Sequence, residues 1–314
     1  MPAPRTAFAP AKVNLTLAVL GRRGDGYHLL SSLVAFADVG DDLVLAPGSG
    51  EPSLAIDGPQ AAALAPDPDN LVLTAARALA ARVPGLRTGA FRLTKRLPVA
   101  SGIGGGSADA AAALRLLCAI NGLAPDDPRV AAAAAEIGAD VPVCLAGRVC
   151  TMEGVGERLG PALPCPALPA VLVNPGLPVE TRAVFRALGL APGETRTPPP
   201  APALVPGLSI DGLIARLVAT GNDLEAPAIA VAPVVADVLA AVAATPGCGL
   251  ARMSGSGATV FGLYGTDAVA RAAAARLAAA HPSWWVAATR LGPAQEPGAT
   301  VRSAPISAPS TASP

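Results

Sequence analysis

Leu97-Pro-Val-Ala-Ser-Gly-Ile-Gly-Gly-Gly-Ser-Ala-Asp109 is the stretch on which the reading of this chain turns. It follows an alternating segment, residues 90–96 (AFRLTKR), that predicts a strand. An alanine-rich run after it predicts a helix over about 107–121, stopped by Asn121-Gly122. Three consecutive glycines between a strand and a helix let backbone N–H groups turn inward with no Cβ in the way. The helix dipole adds roughly half a positive charge at the same end. Together these features predict an anion cradle for a nucleotide's phosphates, with Ser107 as helix cap and hydroxyl donor. No Lys-Ser/Thr pair follows the glycines, so this is not a Walker loop. Ser107 also stands where a dinucleotide fingerprint needs its third glycine. Taken alone, the stretch also fits an ordinary tight turn between strand and helix.

Outward from the loop, strands are predicted at 13–20, 29–37, 42–46, 170–173 and 258–264, with a turn at 38–42. Helices are predicted at 70–82, capped by an Asp or Asn of the Asp67-Pro-Asp-Asn70 run, and at 127–137, 209–219, 233–244 and 267–280. The Pro-rich residues 189–207 read as a flexible insertion, and residues 291–314, rich in Pro, Ser, Ala and Thr, as a disordered tail.

The chain's 314 residues carry 23 Lys+Arg against 23 Asp+Glu, and 52% are hydrophobic. Such a chain can bury the core of one large domain or two ordinary ones. Zero net charge leaves no electrostatic footprint for nucleic acid or an anionic membrane surface. The five cysteines (118, 144, 150, 165 and 248) are odd in number and lack CxxC spacing, which predicts free thiols in a reducing compartment. No apolar run of signal-peptide length opens the chain, and Pro227, Pro233 and Asp237 break its longest apolar stretch. A cytoplasmic location is expected. Only two lysines occur, Lys12 and Lys95, so each marks a place where a compact charge was kept in an arginine-rich chain.

Pro98-x-x-x-Gly102-Ile-Gly-Gly-Gly-Ser107-Ala108 resembles the phosphate loop of the GHMP kinases, the superfamily of galactokinase, homoserine kinase, mevalonate kinase and phosphomevalonate kinase. Ala9-Pro-Ala-Lys-Val-Asn-Leu15 is similar to the family's opening motif, and Met253-Ser-Gly-Ser-Gly-Ala258 to its third, glycine-rich one. Gly21-Arg-Arg-Gly-Asp-Gly-Tyr-His-Leu-Leu-Ser-Ser-Leu33, Gly138-Ala-Asp-Val-Pro142 and Glu153-Gly-Val-Gly-Glu157 are similar to one branch, which phosphorylates a cytidyl-methylerythritol in the non-mevalonate isoprenoid route. The resemblance covers about residues 7–290.

That resemblance implies an α+β, two-domain GHMP kinase fold. A ribosomal S5 domain 2-like N-terminal domain would span 1–160, a ferredoxin-like C-terminal domain 161–290, and the active site would lie in the cleft between them. It implies ATP as co-substrate, Mg²⁺ and a small-molecule alcohol, with neither nucleic acid nor membrane as partner; oligomeric state and metal ligands stay open. Lys12 and Asp140 would be catalytic, Asp140 as general base to the 2-hydroxyl and Lys12 steadying the developing alkoxide. Pro98, Gly102, Gly104, Gly105, Gly106 and Ser107 would carry the phosphates, with Lys95 and Asn70 near the purine nucleoside. Asn14 would bind the erythritol hydroxyls, Tyr27 and Phe185 would sandwich the cytosine, and His28 would bond its edge. Asp109 would hold Mg²⁺ through water or cap the helix, and residues 253–257 would close the site. Two alternatives remain at this point: a mevalonate- or homoserine-type kinase, and a non-catalytic nucleotide- or RNA-binding module. The zero charge and the presence of both Lys12 and Asp140 oppose the latter.

Overall fold

In the computed structural model, residues 3–64, 67, 69–124, 126–197, 201–294 and 301–303 are described. Among them the chain forms strands β1 (Arg5–Asn14), β2 (Ala18–Arg22), β3 (His28–Gly48), β4 (Ser53–Asp57), β5 (Thr88–Thr94), β6 (Cys150–Gly154), β7 (Arg158–Leu159), β8 (Leu168–Asn174), β9 (Cys248–Met253), β10 (Val260–Tyr264), β11 (Trp285–Gly292) and β12 (Val301–Ser303). The helices are α1 (Leu71–Ala80), α2 (Gly105–Asn121), α3 (Pro128–Ile137), α4 (Val141–Ala146), α5 (Thr181–Ala187), α6 (Ile210–Val218), α7 (Glu225–Val231), α8 (Val234–Ala243) and α9 (Asp267–Ala280).

All strands join one sheet whose main path runs β12-β1-β3-β11-β8-β10-β9, and only β4–β5 pairs in parallel. β3 organises it, pairing with β1, β2, β5, β6 and β11. The turn expected at 38–42 is absent, because that segment continues β3. Asp41 sits fully buried in the sheet, its carboxylate taken up by Lys95 and by the N–H groups of Arg96 and Leu97. Gly40 permits the crossing: a Cβ there would lie 2.3 Å from the Ala9 carbonyl oxygen.

α1, α2 and α3 cover β1, β3 and β5 through one apolar cluster that includes Phe36, Phe91, Leu79 and Leu117. α2 is buried nearly all round, and its alanines at 110–113 let neighbouring backbones approach. α8 and α9 pack on β8–β10 through a second cluster around Val173, Val238 and Tyr264. A third joins Val13, Leu15 and Leu33 of the N-terminal half to Leu172, Leu213 and Phe261 of the C-terminal half.

Two tail and insertion readings change. The first part of the segment read as a flexible insertion, residues 190–196, is tied to β2: Gly193 N–H donates to the Arg22 carbonyl, Arg22 N–H to Glu194 and Arg196 N–H to Leu20, while Leu190 is buried. The open backbone groups on this edge of β2 are what attract it. The expected disordered tail begins too early at 291, since β11 runs to Gly292 and β12 pairs with Arg5–Ala7 of β1. Residues 198–200, 295–300 and 304–314 lie outside those described.

Candidate active site

The loop between β5 and α2 bends through positive φ at Ala100 (51°), Gly102 (75°) and Gly104 (64°). Gly104, not Ser107, is the residue before the helix, so the first N–H groups of α2 belong to Gly105, Gly106 and Ser107. The expected Ser107 cap is therefore absent; Gly104 reaches the left-handed conformation at no steric cost and Ser107 falls in the first turn of α2. Pro98, Gly102, Gly104, Gly105, Gly106 and Ser107 all line a cavity of about 740 Å³.

Lys12, buried on β1, lies beneath this loop: a Cβ on Gly104 would come within 3.2 Å of Lys12 Cε. Its ammonium pairs with Asp140 Oδ2 at 3.0 Å and donates to Asn14 Oδ1 at 2.9 Å. The strand period that puts Lys12 and Asn14 on one face thus brings them together. Asn14 in turn donates to Ser32 Oγ at 2.7 Å. Asp140 precedes α4 without capping it, and its side chain stays about one-third exposed. Lys12, Asn14 and Asp140 line the same cavity as the loop. Cys144, on α4 nearby, is no competing nucleophile, because burial pushes its thiol up to about 12.

Lys95 lines the same cavity, while its buried ammonium lies against the loop's underside, donating to Asp41 Oδ2 at 2.6 Å and Asp109 Oδ2 at 2.7 Å. A buried ammonium needs such partners, and here two carboxylates converge on it. Burial works to lower the Lys95 value, and the carboxylates of Asp109 and Asp41 outweigh it and raise it. Burial pushes the Asp109 carboxyl up to about 7, against the pull of Lys95. Asp109 accordingly neither caps α2 nor presents a free carboxylate, and its Oδ1 is buried without a partner among the described residues. Asn70 caps α1, accepting from Val72 N–H at 3.0 Å, and also lines the cavity.

At the other end, Phe185 of α5 lines the cavity, and its ring stacks on His28 (centroids 4.6 Å, 26° between planes). Tyr27 ends the Arg23–Tyr27 turn and is 64% exposed; neither Tyr27 nor His28 is among the cavity's lining residues. The ring stacked on Phe185 is that of His28, the first residue of β3. Burial, and secondarily the Arg22 charge, hold the His28 imidazole below its ordinary value.

Sequence reasoning missed four residues that hold the site together. Ser254 Oγ accepts from Asn14 N–H at 3.1 Å and donates to the Gly102 carbonyl at 3.0 Å, joining the three motif regions. Asn222 donates to the carbonyls of Met253 and Gly255, and Thr181 hydroxyl bonds Ser256. Buried Arg252 donates to the carbonyls of Leu15, Leu217 and Thr220. Met253-Ser-Gly-Ser-Gly257 was legible as glycine-rich, but nothing local marks which hydroxyl reaches 240 residues back. Among the described residues, no group of three or more His, Cys, Asp or Glu converges as a metal cage, and no helix is long and apolar enough to cross a membrane.

Two family models match: the GHMP kinases N terminal domain over residues 70–148 and the GHMP kinases C terminal over 210–283. A 4-diphosphocytidyl-2-C-methyl-D-erythritol kinase of Methylorubrum extorquens is 59% identical over 91% of this chain and 98% of its own. One of Rhodopseudomonas palustris is 58% identical, covering 90% and 96%. A crystal structure of 4-(cytidine 5'-diphospho)-2C-methyl-D-erythritol kinase is similar with a TM-score of 0.68 at 37% identity, over 91% of this chain and 99% of that one. A homoserine kinase from Cytophaga hutchinsonii shares the fold at 20% identity and a TM-score of 0.66, over 96% and 98%.

Proposed function

This chain belongs to the GHMP kinases, and from that premise we propose that it transfers the γ-phosphoryl group of ATP to the 2-hydroxyl of 4-diphosphocytidyl-2-C-methyl-D-erythritol. The observation that carries the reading is the Lys12–Asp140 pair, 3.0 Å apart and opening into the same cavity as the N-terminus of α2.

Phosphoryl transfer to an alcohol asks mainly for positioning and charge stabilisation. The triphosphate lies against the N–H groups of Gly105, Gly106 and Ser107, where backbone donors and the α2 dipole favour negative charge. The acceptor hydroxyl sits against the Lys12–Asp140 pair; Asp140 takes its proton as the new P–O bond forms and the bond from the γ-phosphorus to the leaving ADP oxygen breaks, and the Lys12 ammonium stabilises the alkoxide character of the acceptor oxygen. Asn14 keeps the ammonium aimed by accepting from it. Lysine suits this place because a single compact charge fits beside one oxygen.

The residues present fit Mg²⁺ carried on the triphosphate. Such an ion would keep several waters and need one or two protein oxygens, and the Ser107 hydroxyl, in the cavity lining, would supply one of them. The cation supplies neutralisation of phosphate charge. At the far end, Phe185 lines the cavity and offers an apolar ring for the cytosine, with His28 stacked on it and the exposed Tyr27 next to His28 in sequence as the second ring.

The test is coupled ADP release with 4-diphosphocytidyl-2-C-methyl-D-erythritol, mevalonate and homoserine, each with Mg²⁺. Turnover of the cytidyl substrate well above the other two is expected. No turnover of it by folded protein, or equal turnover of all three, would sink the reading.

A further inference from the structure

His28 and Phe185 reach one another from distant parts of the chain, and something must hold the two elements in register. The candidate is Arg22. It pairs with His28 across the β2–β3 hairpin, so the two side chains are immediate neighbours. Its backbone N–H donates to Glu194 and its carbonyl accepts from Gly193. Its Nη1 donates to the Leu190 carbonyl at 3.1 Å, three residues past the end of α5, the helix that carries Phe185. Leu190 itself is buried in the same apolar cluster against which Phe185 packs. Gly21 allows this close seating, since a Cβ there would lie 2.5 Å from the Glu194 carbonyl oxygen.

Two further facts set Arg22 apart from an ordinary strand-edge arginine. No carboxylate within ion-pair distance faces its guanidinium among the described residues. Its Nε and the Nε2 of His28 are both buried with no hydrogen-bond partner there, an unfavourable arrangement. A chain tolerates such a pair of orphaned groups where function asks for it. Neither Arg22 nor His28 lines the cavity, whereas Phe185 does, so Arg22 acts on it through the His28–Phe185 stack.

We infer that Arg22 is a positioning residue for the base-binding end of the cavity: gripping the Leu190 carbonyl while facing His28, it fixes the His28–Phe185 stack against which a cytosine nucleotide is read. This rests on the reading of that end as the cytidyl site. It makes Arg22 a determinant of pyrimidine-nucleotide affinity and leaves the adenine nucleotide, held at the α2 end, indifferent to it.

The experiment measures equilibrium binding of cytidine 5'-diphosphate and of ADP, each as a separate probe, to the full chain and to Arg22→Gln and Arg22→Lys. Arg22→Gln is expected to weaken the cytidine nucleotide about tenfold, the worth of one positioned hydrogen bond, with ADP within about twofold. Arg22→Lys keeps the charge and one donor and is expected to return cytidine binding to within about threefold of the parent. Unchanged cytidine binding in Arg22→Gln overturns the inference. So does equal loss of both nucleotides or loss of the cooperative melt, either of which makes Arg22 a residue of general stability. If the parent chain binds no cytidine nucleotide and does not turn over the cytidyl substrate, the proposed function itself fails; the two failures are therefore distinct.

Discussion

Replacing Lys95 by Met removes the cation from between two buried carboxylates. Asp41 keeps the N–H groups of Arg96 and Leu97, whereas Asp109 loses the partner of its Oδ2 and has none on Oδ1 among the described residues. Breaking a buried pair from one side costs about 3–5 kcal/mol, and the protonatable Asp109 places the loss at the lower end in mild acid. The pH dependence follows from the sign of its shift. The folded value, about 7, lies above the ordinary 3.8, so the folded chain holds an extra proton between those limits. The penalty of ionising Asp109 is complete above about 7 and is relieved as the pH falls toward 3.8. Lys95 opposes that rise, so Lys95→Met moves the folded value higher still. The variant's loss should then be about 3 kcal/mol near pH 6 and grow by about 1.4 kcal/mol per unit above neutrality. Urea unfolding followed by circular dichroism, at about pH 6 and about pH 8.5, measures both values. A loss under about 1 kcal/mol at both, or the same loss at both, would refute the claim that one ammonium neutralises this pair.

Asp140→Asn should lower kcat by about 10²–10⁴-fold while ADP still binds, and an unchanged kcat would remove Asp140 from proton transfer. Lys12→Arg should fare little better than Lys12→Met in steady-state rate, because the larger planar group cannot seat between Asn14 and Asp140 beneath Gly104. Gly102→Ala puts a Cβ 2.6 Å from the Ser254 carbonyl oxygen at φ +75°, and should cost about 1–3 kcal/mol in unfolding free energy and raise the KM for ATP. Ser254→Ala strips a partner from both the Asn14 N–H and the Gly102 carbonyl, and a melt lowered by about 1–3 kcal/mol is expected; a neutral result would make the bridge incidental.

The phosphate loop was legible because its signal is local: glycines, the strand before it and the helix after it all lie within about thirty residues. Lys12 and Asn14 were legible as a pair because a strand's period of two is local as well. The long helices α1, α2, α3, α6, α8 and α9 were found, while α4, α5 and α7, with six or seven residues each, carry too little periodicity to read. The turn expected at 38–42 failed for a tertiary reason: an aspartate that ordinarily marks a turn is buried in β3 by Lys95, 54 residues away. Tyr27 and His28 were legible as neighbours in one loop, but that the His28 ring stacks on Phe185 was not, because the two lie far apart along the chain. Ser254, Asn222 and Arg252 act across the fold, and no window of sequence contains their partners.

The third apolar cluster has a consequence for any attempt to dissect the molecule. Val13, Leu15 and Leu33 interlock there with Leu172, Leu213 and Phe261, so a gene split near codon 160 would hand each fragment an oily, unfinished surface. Neither fragment would be a self-sufficient module. Co-expressed, the two should complement one another, and nucleotide binding would return only with that reassembly.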